Sequence, residues 1–146
     1  MSDDEKNRNT ILIFKKGCSI IIPIMNKNNF ILYDGKKGQS SGGFFVSCLF
    51  KKFERELRFS YRESLGDVQY KMYDYSLDHV TYMKFLKVRS KYPDFVNDPL
   101  ESFNQFAFDL ENYCQDFLNG SGKDFMKYAL AFRNNKNIFK GFNQLP

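Results

Sequence analysis

The order of periodicities along this chain predicts an α+β fold: an N-terminal antiparallel β-sheet of about five strands, packed by about three C-terminal helices. Three observations carry that reading. Residues 56–62 alternate strictly, with Leu57, Phe59 and Tyr61 on one side and Glu56, Arg58, Ser60 and Arg62 on the other. That period of two marks a strand with one solvated face. From Ser76 onward apolar residues recur every three or four positions instead, the period of a helix. Finally, 42% of the 146 residues are hydrophobic, with 17 Phe and 9 Tyr, enough for an aromatic-rich core in one domain spanning residues 1–146.

The elements follow in order. Residues 1–9 are polar and are expected to form a flexible tail. Ile11–Phe14, Ile20–Ile24 and Phe30–Tyr33 read as short strands. Asn26-Lys27-Asn28-Asn29 supplies a hairpin between the last two, because Asn tolerates positive φ. Pro23 places its strand toward a sheet edge. The segment DGKKGQSSGG, residues 34–43, reads as a mobile loop, and Phe44–Phe50 as a buried strand. Val68, Tyr70 and Met72 continue the alternation beyond a Gly66-Asp67 turn, so the two alternating strands form a hairpin.

Ser76 is positioned to cap a helix ending near Ser90, before Pro93. Asp98 as N-cap and Pro99 as first residue open the strongest helix, on Leu100, Phe103, Phe106, Ala107, Leu110, Tyr113, Cys114, Phe117 and Leu118, with Gly120 suited to the left-handed position after its last turn. A third helix spans about Gly122 to Arg133, and the residues from Asn134 form a polar tail.

Few residues can carry chemistry. His79 is the only histidine, beside Asp78 in the first turn of a predicted helix, and no signature pairs it with a Cys or Ser nucleophile. A surface or packing role is expected of it. Cys18, Cys48 and Cys114 are odd in number, far apart and set among apolar neighbours, which predicts reduced, buried thiols rather than a disulfide framework. No Cys/His spacing suits zinc, and Asp94 and Asp98 do not make a calcium loop. The glycine-rich segment lacks a following helix and so lacks the geometry of a phosphate cradle. The pairs Glu54/Glu56 and Asp109/Glu111 are explained by surface solvation. Neither a metal nor a cofactor is expected. The polar, acidic start resembles no signal peptide, and Cys18–Met25 falls well short of the ~20 residues a membrane helix needs. A cytoplasmic protein is expected.

Charge is distributed unevenly. Between Asn97 and Asn119 stand five carboxylates, Asp98, Glu101, Asp109, Glu111 and Asp116, with no Lys or Arg. Of 17 acidic residues this leaves 12 elsewhere, against 22 basic ones, so the net +5 combines an acidic helix with a remainder of +10. Either the helix is paired with lysines from the sheet and third helix, or it is a docking surface for an electropositive partner. A basic group formed by Lys36, Lys37, Arg55, Arg58 and Arg62 supports a different reading, a nucleic-acid or other anionic-ligand binder using the sheet face.

The stretch Tyr92-Pro93-Asp94-Phe95, Asp98-Pro99-Leu100, Phe103, Phe106, Asp109-Leu110, Tyr113 and Asp116-Phe117-Leu118, with Leu57–Arg62 upstream, resembles small immunity proteins of bacterial polymorphic toxin systems, including contact-dependent growth inhibition. It covers roughly Glu54 to Gly120. The resemblance implies a non-enzymatic protein that binds a cognate toxin domain and occludes its active site. Glu101, Asp109, Glu111 and Asp116 are then the expected partner contacts.

Overall fold

The computed structural model describes residues 2–94 and 97–143, without the side chains of 136–143. Phe95, part of the stretch that carries the resemblance, lies outside the described residues, as do residues 144–146 of the predicted tail.

The five-stranded antiparallel sheet is present, as a meander in the order β1 (Ile31–Ser40), β2 (Gly43–Lys52), β3 (Arg55–Tyr61), β4 (Leu65–Met72) and β5 (Tyr75–Asp78). The alternation read over residues 56–62 holds: Leu57, Phe59 and Tyr61 are buried, and Arg58 is exposed on the other face. Register carries this pattern across the sheet. Cys48 opposes Phe59, Phe50 opposes Leu57, and Leu57 opposes Tyr70, so all lie on the helix-covered side. Ser47, Leu49, Ser60 and Gln69 lie on the open side.

The chain does not begin with a tail and strands. Asp3–Lys27 is one 25-residue helix, α1. Ser2 caps it, its hydroxyl accepting from the Glu5 amide at 3.2 Å, and Asp3, Asp4 and Glu5 fill the first turn. This is the Ser-x-x-Glu pattern of a helix start, followed by acids that suit the positive end of the helix dipole. Phe14, Gly17, Cys18, Ile21, Ile24 and Met25 form its buried face, at helical spacing. The isoleucine runs look like strands because β-branched residues favour them, but burial on one helical face outweighs that small preference. Pro23 sits on the exposed side near the helix end, and Asn29, at φ 66°, ends the helix rather than turning a hairpin.

The glycine-rich segment is a strand, β1, not a loop. Its pairing with β2 runs to Ser40 opposite Gly43, with a bulge between Leu32 and Asp34. An edge strand is bonded on one side only and most of this one is exposed, so its sequence needs little apolar content. Gly66 and Asp67 lie within β4 rather than in the turn.

The helices differ in their ends. Ser76 belongs to β5. The cap of α2 (His79–Leu86) is Asp78, whose carboxylate accepts from the amide and hydroxyl of Thr81, both at 2.8 Å. α3 (Pro99–Tyr113) begins as predicted, with Asp98 accepting from the Leu100 amide at 2.9 Å. It breaks at Cys114 into a short α4 (Gln115–Leu118). The left-handed glycine is Gly122, at φ 79°, not Gly120. α5 (Lys123–Asn143) continues through the predicted tail.

α1 packs against β2 and α3, and α5 against β5 and α4. Gly17 permits the close approach of α1 to α3, since an added Cβ would meet the Phe103 ring at 2.5 Å. Phe59 is the centre of the core, with ring centroids of Phe14, Phe50, Phe103 and Phe106 at 6.0, 6.1, 6.3 and 5.6 Å. Phe59→Ala is expected to lower stability by about 3–5 kcal/mol in urea unfolding.

Candidate functional site

The structure brings His79 together with Asp109, thirty residues later in the chain, at the heart of the protein. His79 is the first residue of α2, so the Asp78 cap fixes its backbone, and its ring turns inward under α3. Nε2 lies 2.8 Å from Asp109 Oδ2, and Nδ1 lies 2.7 Å from the Tyr70 hydroxyl. Ser90 donates to the same Asp109 oxygen and is itself tied to the Tyr92 backbone. The Tyr70 hydroxyl also contacts Cys114 Sγ at 3.6 Å. Tyr70 stacks on the imidazole at 5.7 Å, while Tyr92 and Phe106 close it edge-on at 5.1 and 5.2 Å. His79 and Asp109 are each 1% exposed.

Both ring nitrogens therefore have partners inside the core. With the proton on Nε2, every member is satisfied: Tyr70 donates to Nδ1, Nε2–H donates to Asp109, and Ser90 donates to Asp109. The arrangement joins β4, α2, the segment after α2, and α3, and it leaves neither nitrogen free to take a proton from a substrate or to hold a metal. Among the described residues, no group of three or more His, Cys, Asp and Glu side chains is placed to hold a metal ion.

The three cysteines are free and buried. Burial pushes the Cys114 thiol up to about 12, partly opposed by the hydrogen bond to Tyr70. A hydrogen bond to Cys18, with burial adding to it, holds the Cys48 thiol far above its ordinary range. A thiol so held is a poor nucleophile, because the thiolate is the reactive form.

The five carboxylates of residues 97–119 have separate uses. Asp98 caps α3. Asp109 belongs to the buried network, so the expectation that it is a partner contact is corrected: its carboxylate does not reach the surface. Asp116 accepts from the amides of Gly122 and Phe125, at 3.2 and 2.9 Å, and organises the start of α5. Glu101 and Glu111 are exposed on α3, and no ion pair holds either among the described residues. Phe108 stands between them, 58% exposed, with its ring 6.0 Å from that of Tyr113. Glu101 suits the helix N-terminus, but Glu111 lies near the negative end of α3, where no basic residue offsets it.

The predicted basic group also divides. Arg55 faces the helices and donates to the carbonyls of Phe117 and Gly120 at 2.7 and 2.6 Å, capping α4. Lys37 opposes the inward-facing Val46, so it falls on the other side of β1 from Lys36. Lys36, Arg58 and Arg62 share the open face.

The acceptor sets a clear stability test. Asp109→Ala leaves His79 Nε2 without a partner in the core and is expected to cost about 2–5 kcal/mol. Glu111→Ala on the exposed side of the same helix should stay within about 0.5 kcal/mol. High pH provides a second test. Cys114 and Tyr92 keep their protons to about 12 in the fold, both raised first by burial. The unfolded chain releases them at the ordinary values of 9.0 and 10.0, so it binds fewer protons in that window. Stability is therefore complete below about pH 9 and falls toward pH 12, as urea unfolding across that range should record.

No helix among the described residues is long and apolar enough to cross a membrane. No protein-family model matches the chain, and no curated protein or solved structure matches it.

Proposed function

We propose that this protein is a non-enzymatic binding module that neutralises a toxin domain, docking through the outward face of α3 and occluding the toxin's active site. The observation that carries this reading is Phe108, an exposed aromatic held between Glu101 and Glu111 on a face without ion pairs among the described residues. Aromatic residues such as Phe are enriched at the centre of protein interfaces, and charged groups belong to their rim. The two glutamates, with no Lys or Arg between Asn97 and Asn119, favour a partner whose docking face is basic.

Energetics support the same choice. Folding gains from three of the five carboxylates of this region, as caps or as a buried acceptor, but nothing in the fold uses Glu111, which opposes the helix dipole by a few tenths of a kcal/mol. The sole imidazole is enclosed and bonded at both nitrogens, so the groups this protein offers to other molecules are those of its surfaces. The resemblance to immunity proteins points in the same direction.

The test is rescue of growth. Cells expressing the candidate toxic domain encoded beside this chain should survive when the chain is co-expressed. Phe108→Ala should weaken binding by at least about tenfold, and the double variant Glu101→Lys/Glu111→Lys should slow association and remove its salt dependence. Rescue and affinity unchanged in folded variants would remove α3 from the interface, and absence of any rescue would remove the toxin-neutralising reading.

A further inference from the structure

We propose that the open face of the sheet holds a second site, for a small phosphate monoester, between Arg58 and Arg62 over the serine pair Ser47 and Ser60. It lies on the side of the sheet away from α3, so it stands apart from the docking surface proposed for that helix.

The site follows from strand geometry. Arg58, Ser60 and Arg62 occupy alternate positions along β3 and its end, so they project from one face. Ser47 of β2 is the direct register partner of Ser60. Two guanidinium groups thus bracket a cross-strand pair of hydroxyls. The cavity above them measures about 510 Å³, with Ser40 and Phe45 completing the wall beside Arg62. That volume suits a small organic ligand and is larger than an inorganic phosphate ion needs.

The lining is rich in donors and short of acceptors. Neither Arg58 nor Arg62 makes an ion pair among the described residues. Asp67 also borders the cavity, but it accepts from the Ser60 hydroxyl at 3.3 Å. Arg62 is braced: its Nη2 donates to Ser40 Oγ, and its guanidinium lies 5.9 Å from the Phe45 ring centroid. Its Nε is buried with no acceptor. A buried N–H of a charged group without an acceptor is costly, so folding alone does not account for where this guanidinium is held. Arginine forks match the oxygens of a phosphate group in pairs, and the Ser47 hydroxyl can donate to the same group.

A nucleic-acid strand fits less well. Such strands need a continuous basic track and a series of exposed rings for stacking. Here Lys37 and Arg55 face away, and Phe45 is the aromatic residue beside the arginines.

The test is an NMR titration of the full chain at low ionic strength with ribose 5-phosphate, ribose, inorganic phosphate and a single-stranded oligonucleotide. Ribose 5-phosphate should give saturable shifts at the amides of Ser47, Ser60 and Arg62, ribose should give none, and inorganic phosphate should bind more weakly than the ester. Arg58→Gln, at an exposed position, should weaken ester binding about tenfold with the rest of the spectrum unchanged, and Arg62→Gln should do the same. No saturable shift at millimolar ester, or equal binding by the folded Arg58→Gln variant, overturns the site. Phosphate binding as tightly as the ester overturns the ligand assignment. Tighter oligonucleotide binding, with a salt dependence steeper than two phosphate contacts produce, overturns it in favour of a strand-binding face.

Discussion

The imidazole of His79 receives the Tyr70 hydroxyl from β4 on one side and the Asp109 carboxylate from α3 on the other, and Ser90 brings the segment after α2 to the same oxygen. Tyr70, His79 and Asp109 come from separate elements and meet in the buried core, with the part-buried Ser90 at its margin. Burying a carboxylate and an imidazole is expensive unless both find partners. The network is therefore a condition on how α3 lies across the sheet: any rotation that carried Asp109 outward would strand His79 Nε2 in the core. The same condition turns Phe103, Phe106 and Leu110 inward and leaves Glu101, Phe108 and Glu111 facing out. The geometry of the proposed docking face thus depends on a polar contact beneath it.

The sheet's centre was legible because its strands have one wet side, and strict alternation such as Leu57-Arg58-Phe59-Ser60-Tyr61 would scatter apolar groups around a helix instead of gathering them on one face. α3 was legible for similar reasons, with a capping Asp, a following Pro and a long apolar stripe. α1 was not, since runs of isoleucine suit strand and helix alike; the more telling feature was the Ser2/Glu5 pair ahead of them. β1 was illegible because an edge strand carries little apolar signature. Lys36, Gly38 and Ser40 are tolerated where only one side of the backbone is bonded. The His79–Asp109 contact joins elements whose packing no local spacing encodes. One sign was present: Asp109 falls among the inward positions of its helix, between Phe106 and Leu110, where a charge needs a buried partner.

Net charge is a coarse guide here, because several of the charged groups have contacts of their own within the fold. The acidic stretch resolves into two helix-end contacts, one core acceptor and two surface glutamates. The basic group resolves into Arg55, which closes α4, Lys37 on the other side of the edge strand, and three residues on the open face. What remains after folding has used its share is an acidic, aromatic helix face on one side of the molecule and a pair of arginines over serines on the other. The two proposed faces differ in chemistry, and neither relies on the buried histidine.

The central claim is that His79 is a structural group sealed from solvent, which is why the proposed function is assigned to the surfaces. Diethyl pyrocarbonate, which acylates an accessible imidazole nitrogen, tests this directly when the native protein is treated near neutral pH and its peptides are weighed. His79 should stay unmodified in the folded protein and react fully once the chain is unfolded in urea. Rapid modification of His79 in the native state would contradict the account, because it would show a ring nitrogen open to solvent where the structure has it bonded within the core.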